Sequence, residues 1–165
     1  MNRLLLPLTI SLILVFGCGL GVSEHKDAVL DGLSSLNRGK PEEALESFNR
    51  AISIDPTHPD GYLGRANTLN TLGRYQESLK DYERVIEINP EIANAYVNRA
   101  IAYSHLKEYE KAIADYEKAL ELDPEIDDPP GFLERLFSNR PNTDWGIRKH
   151  LEFLKREVKK SERKS

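Results

Sequence analysis

One cysteine, one tryptophan and one methionine among 165 residues narrow the chemistry at once. Cys18 alone can form no internal disulfide, no CxxC redox pair and no multi-cysteine zinc site. HExxH, GxSxG and glycine-rich phosphate loops are all missing. The four histidines, His25, His58, His105 and His150, make no i, i+4 ligand pair. His58, between Pro56 and Pro59, reads as a turn residue. No catalytic residue, no metal site, no cofactor and no enzymatic activity are therefore expected. Net charge is also small, −4, which argues against a nucleic-acid partner. With 39% hydrophobic and 30% charged residues, the chain is neither disordered throughout nor a polytopic membrane protein.

What charge there is lies unevenly. Residues 144–165 carry +4 and the remainder −8. At the other end, Arg3 is the only charge before Glu24, and an apolar run from Leu4 to Phe16 lies between them. A short cationic start followed by such a run has the form of a secretory signal. The run closes as Leu14-Val15-Phe16-Gly17-Cys18, which resembles the bacterial lipobox. The resemblance implies a signal peptide over 1–17 and lipidation of Cys18, with 18–24 as a short tether. It also implies a membrane-anchored place in the cell envelope outside the cytoplasm. Gly19 after the cysteine implies the outer membrane in a two-membrane host. An uncleaved anchor over Leu4–Val22, roughly 28 Å as a helix, and plain cleavage near Gly21 remain the alternatives.

The body is periodic. Pro56, Pro90 and Pro124 recur every 34 residues, each closing a similar phrase: Ile54-Asp55, Ile88-Asn89, Leu122-Asp123. At fixed offsets before them stand Ala51, Val85 and Ala119, then Phe48, Tyr82 and Tyr116, then Ala44, Ser78 and Ala112, then Gly32, Ala66 and Ala100. A fixed period of this length marks stacked helical repeats. These positions resemble the tetratricopeptide repeat (TPR) family in three gapless units, 25–58, 59–92 and 93–126. The fold implied is all-α, a right-handed superhelical solenoid of three helix hairpins. Residues 127–165 are expected to add a degenerate fourth pair that caps the stack. Its first helix would carry Phe132, Leu133, Leu136 and Phe137. Its second would carry the stripe Ile147, Leu151, Leu154 and Val158, with Gly146 at the small-residue position.

Two features depart from the family pattern. The residue before each small position in the first helix is Asp31, Arg65 or Arg99 rather than a large apolar one. Asp81 and Asp115 lie sixteen residues after the two arginines, so folding each hairpin predicts the ion pairs Arg65–Asp81 and Arg99–Asp115. Repeat one has no such pair, with Ser47 at the matching place.

In the TPR family the first helices line a concave groove that holds a peptide or a partner helix. Carried over, the resemblance implies groove residues Val29 and Leu33 from repeat one, flanked by Lys26 and Leu36. Leu63, Asn67 and Asn70 come from repeat two, flanked by Asp60 and Thr71. Asn94, Val97, Asn98, Ile101 and His105 come from repeat three, together with Ser104. The floor is apolar and the fringe rich in amides, which can donate and accept at once. The cationic set with which some TPR domains grip a C-terminal carboxylate is missing: its positions hold Val29, Leu33, Gly64, Asn94 and Asn98. The expected role is an exported, membrane-tethered scaffold for a protein or peptide partner. The alternatives are a structural subunit whose groove is permanently filled, and a secreted or transmembrane-anchored form without lipid.

Overall fold

A period of 34 residues becomes a period of helices in the computed structural model, which describes residues 10–126 and 146–163, with side chains from residue 23 onward. Seven helices are described: α1 (Ile10–Asn37), α2 (Pro41–Ile54), α3 (Pro59–Thr71), α4 (Tyr75–Ile88), α5 (Ala93–His105), α6 (Tyr109–Leu122) and α7 (Ile147–Glu162). The starts of α2, α4 and α6, and of α3 and α5, repeat the proline spacing. Helices α1–α2, α3–α4 and α5–α6 pack as hairpins. The hairpins stack through α2 on α3, α4 on α5 and α6 on α7.

Local chemistry sets the boundaries. Each turn inside a hairpin needs one residue in the left-handed region, supplied by Gly39 (φ 71°), Gly73 (φ 74°) and Lys107 (φ 64°). The next amide in each case donates back five residues, as Lys40 N–H to Ser35 O (2.9 Å) does. Lys107 adopts this conformation with a Cβ, so repeat three pays for its turn where the other two use glycine. At the far end of each hairpin, Asp55, Asn89 and Asp123 leave the helix in extended conformation. Their side chains accept the amides of Thr57, Glu91 and Glu125 at 2.9 to 3.0 Å. These Asx turns, with the prolines beside them, explain the repeated phrase. Pro41 and Pro59 occupy first helical turns, where a missing N–H costs nothing.

The core follows the periodic residues. Phe48, Tyr82, Tyr116, Ala51, Val85, Ala119, Ala44 and Ala112 are fully buried. Phe48 illustrates why small residues recur opposite it. A Cβ on Gly32 would stand 2.6 Å from its ring, and one on Gly64 of the next hairpin 2.2 Å. The ring thus wedges between α1 and α3, and neither helix tolerates a side chain there.

Both expected ion pairs form, each bidentate. Arg65 Nε and an Nη donate to Asp81 at 2.7 Å, and Arg99 does the same to Asp115 at 2.7 Å. The aspartates are buried, and the arginines lie over Tyr62 (5.8 Å) and Tyr96 (5.7 Å). Repeat one solves the same join with reversed polarity: Arg50 of α2 donates to Asp31 of α1, in an exposed pair.

Helix α7 covers the end of the stack. Ile147, Leu151 and Leu154 join the cluster of Tyr116, Ala119, Val97 and Ile101, and Val158 is half-buried. Gly146 is not inside a helix, as the sequence suggested; it is the N-cap of α7, in extended conformation. The periodic small-residue position therefore falls just outside the helix. The expected helix over Phe132–Phe137 and the leader's first residues lie outside the described residues. Helix α1 runs through positions 18–24, read from the sequence as a tether, and the side chain of Cys18 is outside the described set. Among the described residues, no helix is long and apolar enough to cross a membrane.

The pairs and the cap give two expectations. Asp81→Ala leaves Arg65 without its carboxylate, with only the neutral Asn49 Oδ1 (2.6 Å) to bond, and should cost about 3 kcal/mol of unfolding free energy in urea titration. A loss under about 0.5 kcal/mol would mean the pair is idle. His150 of α7 hydrogen-bonds Tyr116 (2.9 Å), and burial, then the nearby His105, pushes its pKa down to about 4. The unfolded chain takes up this proton below about pH 6.5 and the folded chain does not. Stability should therefore fall between pH 6.5 and 4, with His150 contributing roughly 2–3 kcal/mol. In His150→Gln that part of the acid loss should vanish; an unchanged pH profile would contradict the assignment.

Candidate peptide-binding groove

Helices α1, α3 and α5 are the inner helices, and neighbours among them touch. The expected groove residues divide into two groups. Leu33 is 45% exposed, and Leu30, one helical turn before it, is 52% exposed. Val29, Leu36, Leu63 and Asn67 are half-buried, and Lys26, Asp60, Thr71, Asn94 and His105 are exposed. By contrast Asn70, Val97, Asn98 and Ile101 are buried. Val97 and Ile101 share their cluster with Ile147, Leu151 and Leu154 of α7. The apolar floor is thus open on repeats one and two and closed on repeat three. His105 stacks on Tyr75 of α4, ring centroids 4.2 Å apart.

The amides form one network, and it has a cause. A buried tyrosine hydroxyl needs a partner. Where Phe48 faces Gly64, Tyr82 has a hydroxyl to satisfy, and the residue equivalent to Gly64 is Asn98. Tyr82 donates to Asn67 Oδ1 (2.8 Å), and so does Asn98 Nδ2 (2.8 Å). Burial also raises Tyr82's pKa far above the ordinary value, so this hydroxyl keeps its proton. Asn70 is spent inside the stack: Nδ2 donates to the Asn98 carbonyl (3.0 Å), and Oδ1 accepts from Ser78 (2.6 Å). It joins α3 to α4 and α5 rather than offering its amide to a ligand.

Two groups are left over. Asn67 Oδ1 is doubly occupied, which fixes the amide plane, while its Nδ2 donates to no group among the described residues. Asn98 Oδ1 is buried, in a side chain only 2% exposed, and has no hydrogen-bond partner among the described residues. The inner surface therefore carries one oriented donor, Asn67 Nδ2, beside an apolar floor, while Asn98 Oδ1 lies beneath that surface.

One cluster escaped the sequence reading, which expected no metal-ligand set. His25, His58 and Asp60 come together with one ligand atom of each within 4.8 Å of the others. Residues 25 and 58 open and close the first repeat. Folding the hairpin returns the chain to its starting end, so distant residues meet.

Comparison with known proteins agrees with this architecture. Models of the tetratricopeptide repeat match residues 59–92 and 93–126, and a further TPR repeat model matches 32–73. An uncharacterised protein of Methanocaldococcus jannaschii is 43% identical over 44 residues, 27% of this chain and 51% of that protein. Tetratricopeptide repeat protein 36 of Danio rerio is 42% identical over 52 residues, 32% of this chain and 28% of that protein. The chain thus spans about half of the first relative and less of the second. Among solved structures, the first TPR of Spaghetti (RPAP3) bound to the HSP90 peptide SRMEEVD superposes with a TM-score of 0.69 at 20% identity, covering 82% of this chain and 94% of that one. The second TPR domain of human RPAP3, in complex with an HSP70 peptide, gives 0.59 at 26% identity, covering 65% and 87%. The TPR2B domain of yeast Sti1, in complex with an Hsp70 peptide, gives 0.61 at 25%, covering 70% and 94%. Over residues 32–126, more than half its length, this chain is a tetratricopeptide-repeat protein.

Proposed function

We propose that the inner face of α1 and α3 binds an extended, largely uncharged segment of another protein. The fixed amide of half-buried Asn67, with Nδ2 left as a donor, together with exposed Leu33 carries this reading. A peptide backbone offers a carbonyl acceptor at every residue, so it matches that donor without regard to sequence. Val29, Leu33 and Leu63 supply apolar contact, at about 25 cal/mol per Å² of surface covered. Because the amide of Asn67 is held in place before binding, little ordering cost remains at that contact.

The related domains of RPAP3 and Sti1 hold peptides from HSP90 and HSP70, and those of RPAP3 end in Glu-Glu-Val-Asp. An acidic tail of that kind needs cations on the inner face. Here Lys26 is the cation among the groove positions, and Asp60 opposes it in charge. The preferred guest is therefore apolar and neutral. We further propose that Cys18 carries a lipid which tethers the domain to the cell envelope, outside the cytoplasm. The lipobox-like run Leu14–Cys18 supports this. Two or more acyl chains would make such attachment durable, at about 0.8 kcal/mol per buried CH₂.

Selection from a displayed random 12-residue library should enrich apolar, uncharged peptides. Leu33→Asp should weaken the selected peptides by about tenfold or more in calorimetry, whereas SRMEEVD should bind the wild type no better than about 1 mM. Tight SRMEEVD binding that ignores Leu33→Asp would overturn the reading. For the tether, Cys18→Ala should abolish incorporation of labelled palmitate into the expressed chain; retained label would remove the lipid.

A further inference from the structure

The cluster at the junction of the first two hairpins shares only Asp60 with the groove positions. His25 lies on α1 and is only 5% exposed. Its Nδ1 stands 3.0 Å from the Ala51 carbonyl of α2. A carbonyl can only accept, so Nδ1 carries the proton and Nε2 the lone pair. That Nε2 is buried and has no hydrogen-bond partner among the described residues. A buried acceptor without a partner is destabilising, so this one calls for a ligand.

Two further donors stand beside the His25 ring. His58, the N-cap of α3, has its ring centroid 4.6 Å from that of His25. Asp60, in the first turn of α3, places Oδ2 3.5 Å from His58 Nδ1. We propose that His25, His58 and Asp60 bind a divalent first-row transition ion, with zinc as the fitting species and water completing a tetrahedron.

The chemistry narrows the class. Two imidazoles and one carboxylate suit zinc and its neighbours. Calcium and magnesium prefer all-oxygen shells, and copper(I) prefers sulfur. An Nδ1–H held by a backbone carbonyl is the second-layer contact usual for a metal-bound histidine, because it sets both the ring plane and the tautomer. Ligand atoms around tetrahedral zinc stand roughly 3.3 Å apart, closer than the 4.8 Å limit seen here. The adjustment falls on the side chains able to make it: His58 and Asp60 are 46% and 54% exposed, while His25 is fixed. A bound ion would clip α1 to the start of α3, with the whole of α2 between them in the chain, joining repeat one to repeat two. This inference stands apart from the peptide groove and survives if the groove reading fails.

The test is a zinc titration of the full chain after chelator treatment, read by calorimetry and by thermal melting. A parallel titration uses Co²⁺, whose visible bands report tetrahedral nitrogen and oxygen ligation. The expected result is one Zn²⁺ per chain at micromolar affinity with a raised melting temperature. Asp60→Asn and His58→Ala should each weaken binding at least about tenfold. Asp60→Asn should leave the metal-free melting temperature within about 2 °C. His105→Ala, at an exposed histidine elsewhere, should leave zinc binding unchanged. Absence of saturable binding below about 100 µM, undiminished binding in both cluster variants, or loss of binding in His105→Ala would overturn the proposal.

Discussion

Phe48 of the outer helix α2 has to sit between two inner helices, α1 and α3, and the geometry of the stack builds on that contact. Phe48 lies so close to α1 and α3 that only glycine fits opposite it at Gly32 and Gly64. Tyr82 and Tyr116 stand at the equivalent sequence positions of the next two repeats and are likewise fully buried. Such rings bury much apolar area, and their shape dictates how near the helices approach. The alanines and Ser78 around them are therefore geometric requirements as much as hydrophobic ones. The Arg65–Asp81 and Arg99–Asp115 pairs then fasten inner to outer helix where the family pattern would place an apolar side chain.

Changing phenylalanine to tyrosine at the wedge has consequences that reach the groove. The hydroxyl of Tyr82 requires Asn67, Asn67 is shared with Asn98, and the result is an Asn67 amide aligned before any guest arrives. Stability and recognition thus draw on the same hydrogen bonds. At the third repeat the corresponding hydroxyl, of Tyr116, turns to His150 of α7 instead. The capping helix takes over a role that an inner-helix amide has one repeat earlier, and Val97 and Ile101 lie in its cluster. The groove is consequently shorter than three repeats.

Periodic residues made the hairpins legible from sequence, because each fixed offset names a contact: Gly39 and Gly73 a turn, Phe48 a wedge, Asp55 beside Pro56 a helix stop. The two arginine–aspartate pairs were legible for the same reason, since spacing of sixteen spans one hairpin. Burial on the inner face was not legible. Nothing in the positions of Asn70, Asn98 or Ile101 announces that they will be buried among neighbouring amides or in the core cluster that α7 joins. Gly146 misled because α7 begins after it, whereas its counterparts Ala44, Ser78 and Ala112 lie within their helices. The His25–His58–Asp60 cluster was hidden because its members belong to no shared helical face; only closure of the hairpin unites them.

The central claim is that the apolar inner face is open on the first two repeats and shut on the third. Methyl-labelled NMR with a soluble paramagnetic agent measures this directly, without any knowledge of the partner. The account predicts strong broadening of the Leu30 and Leu33 methyls and sharp, unaffected signals from Val97 and Ile101. Broadening of Val97 and Ile101 together with protection of Leu33 would contradict it.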